Sequence, residues 1–167
     1  MTKRIVVVGG DAAGMSAASQ ARRLDRDLEI LVFERGPHTS YSACGIPYLV
    51  AGLVEDPNQL VARTPEAFRA QGIDVRVRHE VTALDPSARR VTVHDLVGGR
   101  VFEEPYDELL LATGATPLRP PVEGIDAAGV FGVSTLASGV ALLRFLEEQR
   151  PRKVVVVGGG YIGLEMA

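Results

Sequence analysis

Ile5-Val6-Val7-Val8-Gly9-Gly10-Asp11-Ala12-Ala13-Gly14 is the stretch that decides the fold. Its first four residues are β-branched without interruption, the pattern of a strand buried on both faces, and such strands belong to parallel sheets. Glycines follow at once. From Met15 to Leu24 small and apolar residues recur at helical spacing until Arg22, Arg23 and Asp25 end the run. The order is strand, glycine turn, helix. Leu28 to Phe33 makes a second apolar strand. Glu34 closes it about 20 residues beyond Gly14, where a dinucleotide-binding βαβ unit carries the carboxylate that accepts ribose hydroxyls. In such a unit the free N–H groups and the dipole at the helix start face a pyrophosphate. Asp11 departs from the pattern, because it stands where the second glycine of GxGxxG lets the backbone approach the phosphates. Its side chain is therefore expected to point away from the ligand.

The next stretch, Ser40-Tyr41-Ser42-Ala43-Cys44-Gly45-Ile46-Pro47-Tyr48, holds the only cysteine of the 167 residues, so no disulfide can form within the chain. A lone cysteine has two readings, a small buried hydrophobe and a reactive thiol. Pro47 can open a short helix through Tyr48-Leu49-Val50-Ala51 that Gly52 closes. Cys44 then lies just ahead of a helix start, where unpaired N–H groups favour a thiolate, the form that attacks disulfides, peroxides and persulfides. Tyr41 and Tyr48 bracket it as pocket walls or as packing.

Farther along, Asp56-Pro57-Asn58 reads as a turn, and Thr64-Pro65-Glu66 as the N-cap, first-turn proline and acid of a helix running to Gln71 and stopped by Gly72. Arg63 reads as a contact for an anionic substrate or, more ordinarily, as a solvated loop arginine. Ile73 to Arg78, Glu80 to Leu84 and Arg89 to His94 alternate apolar and polar residues, which predicts a small antiparallel meander with one wet face. Gly98-Gly99 is a tight turn and Val101-Phe102 a short strand. Leu109-Leu110-Leu111-Ala112 is a buried strand returning to the parallel sheet, ended by Thr113-Gly114-Ala115.

Thr116 to Gly124 holds three prolines and reads as a stiff connector. A helix is predicted over roughly Thr135 to Gln149. Lys153 to Val157 is a second valine strand, followed by an unmodified GxGxxG, Gly158-Gly159-Gly160-Tyr161-Ile162-Gly163, and by Leu164-Glu165-Met166-Ala167 as the start of its helix. The expected class is α/β: a Rossmann-like domain of parallel sheet and antiparallel meander, then the first strand and glycine turn of a second. The expected divisions are 1–115, 116–150 and 151–167. A phosphate loop without its following helix, strand and ribose acid does not close a domain, so the chain is expected to be a piece of something longer.

Composition narrows the function classes. The formal charge is −3, and basic residues are scattered among acidic ones, so no stripe for nucleic acid exists. No apolar run approaches the roughly 20 residues that span a bilayer. The N-terminus enters a strand pattern instead of a signal peptide, and with one cysteine this points to a reducing cytoplasm. His38, His79 and His94 stand apart from other metal-ligating residues, and no metal site is expected.

Two strand-glycine-helix starts flanking a meander, with Leu110-Leu111-Ala112-Thr113-Gly114-Ala115 at a strand end, resemble the two-dinucleotide flavoproteins of the pyridine nucleotide-disulfide oxidoreductase family over the whole chain. The resemblance implies FAD on the first glycine turn and NADH or NADPH on the second. It implies FAD contacts at Gly9, Gly10, Ala12, Ala13, Gly14, Glu34, Arg35, Val81, Ala112, Thr113 and Gly114, and nicotinamide-nucleotide contacts at Gly158, Gly160 and Gly163. The glutathione reductase type has a second cysteine five positions after the first, and Leu49 stands there. The chain is accordingly similar to the single-cysteine branch of coenzyme A disulfide and persulfide reductases and NADH oxidases and peroxidases.

Cys-Gly-Ile-Pro-Tyr and Arg22-Arg23-Leu24-Asp25 are nearest the coenzyme A group, which implies substrate contacts at Gln20, Arg23 and Ser40. An asparagine often precedes the cysteine in that pattern, but here it is Ala43, so one polar contact is missing. The family implies a full-length homodimer acting on a small disulfide or persulfide. In it Cys44 would carry electrons from NAD(P)H through flavin, or, in an oxidase or peroxidase, would cycle through a sulfenic acid. The chain alone is expected to be inactive and to hold FAD weakly. Two other classes share the glycine turns without needing the cysteine: ferredoxin or rubredoxin reductase-like flavoproteins, and a non-catalytic dinucleotide-binding module.

Overall fold

The computed structural model describes residues 2–167, which divide into two compact units. The first comprises the residues up to Tyr41 together with Val61–Gly114, and the second comprises Ser42–Leu60 and Ala115–Ala167. Along the chain the elements are β1 (Arg4–Val8), α1 (Ala12–Leu24), β2 (Glu29–Glu34), α2 (Ile46–Val50), α3 (Pro65–Arg69), β3 (Ile73–Val77), β4 (His79–Asp85), β5 (Arg90–Asp95), β6 (Val101–Pro105), β7 (Glu108–Leu111), α4 (Leu136–Gln149) and α5 (Tyr161–Glu165). Short 3-10 turns occupy Ala43–Gly45 and Pro57–Leu60.

The first unit is built on a four-stranded parallel sheet in the order β3-β2-β1-β7. Val6 pairs with Leu31 and Leu109, and Val7 with Val32 and Leu110. Side chains alternate between the two faces of a strand. Val7, Ile30, Val32, Ile73 and Val75 therefore pack with Met15 and Ala18 of α1 and Phe68 of α3. Val6, Val8, Leu31 and Phe33 pack on the other face with Val91 and Val93 of β5. Cover on both faces is why β1 and β2 are apolar without alternation. The meander β4-β5-β6 is antiparallel and forms that second cover.

Ile73 to Arg78 is not part of the meander, as its alternation had suggested. It is the outer parallel strand β3, with Ile73 and Val75 buried against the helices and Asp74 exposed. An edge strand covered on one face carries the same two-residue period as a half-wet antiparallel strand, so the period alone does not separate them. The third meander strand is β6, longer than Val101-Phe102. Helix α3 ends at Arg69, two residues short of Gln71, while its N-cap is as expected: the Thr64 hydroxyl accepts the Ala67 N–H at 3.3 Å.

In the second unit α4 starts with a reciprocal cap. The Thr135 hydroxyl accepts the Ser138 N–H at 3.1 Å, and Ser138 Oγ accepts the Thr135 N–H at 3.0 Å. Helix α2 packs on α4, with Ile46 against Gly139. Lys153 to Val157 makes no ladder among the described residues, although it precedes a correctly formed glycine turn. A strand is held by its neighbours' N–H and C=O groups, and none is offered to it here. Val155 and Val157 are accordingly 84% and 95% exposed.

Candidate functional site

The first unit carries the phosphate loop between β1 and α1. Gly9 has φ +108°, and a Cβ there would fall on the Ala112 carbonyl oxygen. Ala112 donates its own N–H to Val8 O at 2.8 Å. The end of β7 therefore lies directly against the loop, which brings Ala112, Thr113 and Gly114 to it. Gly14 is a glycine for a different reason: a Cβ on it would fall on the Gly9 carbonyl oxygen. The first N–H groups of a helix have no partner within it, and Asp11 makes no side-chain cap, although its carboxylate feels the Ala12 N–H beside it. The N–H groups of Ala13 and Gly14 remain as donors at the start of a thirteen-residue helix.

Asp11 turns aside, as its place in the motif requires. Its Oδ1 accepts the Tyr41 N–H at 3.2 Å. Glu34 stands at the same loop, its Oε2 accepting the Gly10 N–H at 2.7 Å and its Oε1 the Gly36 N–H at 2.6 Å. Each carboxylate oxygen keeps a further lone pair for a hydroxyl. Arg35 is exposed just past the strand. Val81 lies at the β4 bulge and packs against the meander-side core.

Burial pushes the Asp11 carboxyl above its ordinary value of 3.8, with the Tyr41 and Ala12 N–H groups opposing the rise and the Glu34 charge adding to it. A carboxyl that holds its proton more tightly when folded contributes stability at pH below the unfolded value, and that contribution is lost as pH rises through the folded value. Asp11→Asn keeps an acceptor for the Tyr41 N–H and removes the charge. Its thermal midpoint relative to wild type is expected to rise as pH increases above 3.8. A constant difference across pH contradicts this.

The same unit contains a cleft of about 480 Å³ lined by Met15, Ser16, Ser19, Arg22, Arg23, Ser40, Ala62, Arg63, Phe68 and Gln71. Three arginines and no carboxylate face it. The Arg22 guanidinium is committed to the carbonyls of Arg26, Leu28 and Gly72, at 2.7, 2.5 and 2.7 Å. Arg23 has no hydrogen-bond or ion-pair partner among the described residues. Ser40 is held with φ +49°, its N–H donating to Gly10 O at 3.0 Å and its carbonyl accepting from the Ala62 N–H at 2.8 Å. Of the three expected substrate contacts, Arg23 and Ser40 meet here, while Gln20 is exposed on α1 outside the lining. Ser16, Ser19 and Gln71 join the lining without any expectation from the sequence, and Arg63 takes the first of its two readings, a place where an anionic ligand would bind. A signal existed for the serines, since positions 16, 19 and 23 share one helix face.

The second unit carries the thiol. Cys44 is exposed, which removes the packing reading. It sits inside the 3-10 turn, which runs straight into α2 at Ile46, one residue earlier than expected. Gly45 N–H donates to Ser42 O at 3.0 Å, and a Cβ on Gly45 would strike the Leu60 side chain. The turn is thus fixed by packing as well as by Pro47. The second glycine loop repeats the first: Gly158 has φ +115°, and a Cβ on Gly163 would fall on the Gly158 carbonyl oxygen. Gly160 is the N-cap of α5. Among the described residues no cluster of three His, Cys, Asp or Glu has a metal-holding arrangement, and no helix is long and apolar enough to cross a membrane.

Comparison with known proteins gives consistent matches. A family model described as pyridine nucleotide-disulphide oxidoreductase matches residues 3–167. An NAD(P)H sulfur oxidoreductase (CoA-dependent) of Pyrococcus abyssi is 42% identical over 166 residues, which is 99% of this chain and 36% of that protein. An NADH oxidase of Methanocaldococcus jannaschii is 41% identical over 165 residues, 98% of this chain and 37% of that protein. The structure of reduced CoADR-RHD from Bacillus anthracis superposes with a TM-score of 0.95 at 34% identity, covering 99% of this chain and 30% of that one. The chain thus spans a little over a third of the length of the curated relatives it matches.

Proposed function

From the premise that the chain belongs to the pyridine nucleotide-disulphide oxidoreductase family, we propose that it is the FAD-binding and thiol-bearing part of a polypeptide that reduces coenzyme A disulfide or a related persulfide at the expense of NAD(P)H. The observation that carries the substrate reading is the cleft, with its three guanidinium groups and no opposing carboxylate. Such a lining selects a phosphate-bearing ligand. The CoA-dependent name of the Pyrococcus abyssi relative supports the same class.

FAD fits the first glycine loop on the structure's own terms. Gly9 lets the loop lie against Ala112 and Gly14 lets α1 start against the loop, the helix start has no side-chain cap, and Asp11 Oδ1 is held by the Tyr41 N–H. Ala12, Ala13 and Gly14 would hold the pyrophosphate, and Glu34 would accept the ribose hydroxyls while pinning the loop through Gly10 and Gly36. When bound, FAD supplies two-electron transfer between a reduced nicotinamide and sulfur. Gly158, Gly160 and Gly163 would hold the nicotinamide nucleotide.

The chain's own chemistry lies at Cys44. Its thiolate attacks one sulfur of the disulfide, forming a mixed disulfide with half of the substrate and releasing the other half as a thiolate. Two electrons then return Cys44 to its thiolate and free the second half. Arg23 and Ser40 bind the anionic part of the substrate. An NADH oxidase, the name of the Methanocaldococcus relative, would use the same thiol as a sulfenic acid.

Intact-mass spectrometry of the chain after incubation with coenzyme A disulfide tests this reading. A single coenzyme A adduct on Cys44 is expected, removable by dithiothreitol and absent from Cys44→Ser. An unmodified wild-type mass contradicts it.

A further inference from the structure

We infer that Arg63 is a second phosphate contact of the first unit's cleft, and that it sets the preference for phosphate-bearing thiols and disulfides over their dephosphorylated counterparts. The inference rests on the reading of that cleft as the seat of a coenzyme A-type substrate, and it decides between the two sequence readings of Arg63 in favour of the anionic contact.

The backbone at this position is fixed. The Arg63 carbonyl accepts the Thr39 hydroxyl at 3.2 Å, and Thr39 is fully buried. Val61 bridges Tyr41 in antiparallel fashion, and the Ala62 N–H donates to Ser40 O at 2.8 Å. Arg63 is thereby carried on the segment paired with the one that presents Ser40.

Its side chain is fixed as well. The guanidinium lies 5.0 Å from the ring centre of buried Phe68, and Nη1 donates to Gln71 Oε1 at 3.2 Å. Stacking on an aromatic face and one hydrogen bond restrict an otherwise flexible side chain before any ligand arrives. A guanidinium has five N–H donors, so one bond to Gln71 leaves the others for ligand oxygens. With the Nη1 and Nη2 groups of Arg22 given to backbone carbonyls, Arg23 and Arg63 are the two cleft arginines with side-chain N–H donors not committed to backbone. One sits on α1 and the other beside α3, so a ligand between them meets a cation from each side. A coenzyme A-type molecule carries phosphate at more than one position, which two separated guanidinium groups match better than one.

Calorimetric titration of the chain with coenzyme A and with pantetheine, each at saturating FAD so that the glycine loop is filled, tests the inference. Wild type is expected to bind coenzyme A at least about 10-fold more tightly than pantetheine. Arg63→Ala should weaken coenzyme A about 10-fold and leave pantetheine unchanged, the loss expected of a charge-assisted contact. Arg63→Lys should recover only part, because an ammonium keeps the charge but not the planar fork. Circular dichroism of each variant confirms that the fold is retained. If Arg63→Ala binds coenzyme A as wild type does while Arg23→Ala is weakened, Arg63 is a bystander and the reading of the cleft survives. If wild type binds coenzyme A no better than pantetheine, the reading of the cleft falls and the inference with it.

Discussion

Cys44→Ser, in a polypeptide of the relatives' length that carries this chain, is expected to keep its flavin and to lose reduction of coenzyme A disulfide by about 1000-fold or more. A hydroxyl cannot take the thiolate's part in exchange, because it neither ionises near neutral pH nor forms a bond to sulfur that two electrons can cleave. The residue is exposed in a short turn fixed by Leu60 and Pro47, so serine fits without repacking. Flavin content and melting temperature should therefore match wild type within error. Oxidation of NAD(P)H by dioxygen should persist in the variant, which separates loss of the thiol from loss of the nicotinamide site. Turnover within 10-fold of wild type removes Cys44 from the mechanism.

Gly14→Val is expected to be among the most damaging single changes in the first unit. A Cβ at this position collides with the Gly9 carbonyl oxygen and approaches the Val7 side chain, so the loop and the start of α1 must separate. Overpacking of this kind typically costs about 1–3 kcal/mol, and a backbone obstacle places it at the upper end. Flavin affinity should fall by about 100-fold or more, since the amides of Ala12, Ala13 and Gly14 move with the helix. Gly99→Ala is the control. Gly99 also requires an unusual backbone, with φ +69°, but nothing lies within 4 Å of a Cβ there. Its cost is limited to local strain of about 1 kcal/mol, and flavin binding should be untouched. Equal losses from the two substitutions in chemical denaturation contradict the contact argument.

The first βαβ unit was legible because its signals agree at every level. An uninterrupted β-branched run, glycines at the turn and an acid about 20 residues on all depend on short-range geometry. Asp11 was legible for the same reason, as an exception whose side chain had to find another partner, and that partner is the Tyr41 N–H. Strand β3 was misplaced because Ile73, Val75 and Val77 alternate with Asp74 and Arg76, and the period does not say which sheet covers the apolar face. Lys153 to Val157 has the composition of a strand, but a strand is defined by partners that composition does not supply. The cleft was legible only in pieces. Arg23, Ser40, Arg63 and Gln71 come from separate segments, and only packing of α1 and α3 on one face of the sheet brings them together. Arg63 in particular needs Phe68 and Gln71 beside it before it differs from any loop arginine.

Whether Cys44 exchanges electrons with a flavin on the first glycine loop is tested most directly by an anaerobic reductive titration of the relatives'-length polypeptide after oxidation with coenzyme A disulfide and removal of the excess. Uptake of about four electrons per flavin is expected, two for the cofactor and two for the mixed disulfide at Cys44, falling to about two in Cys44→Ser. Uptake of about two electrons by the wild type would contradict it.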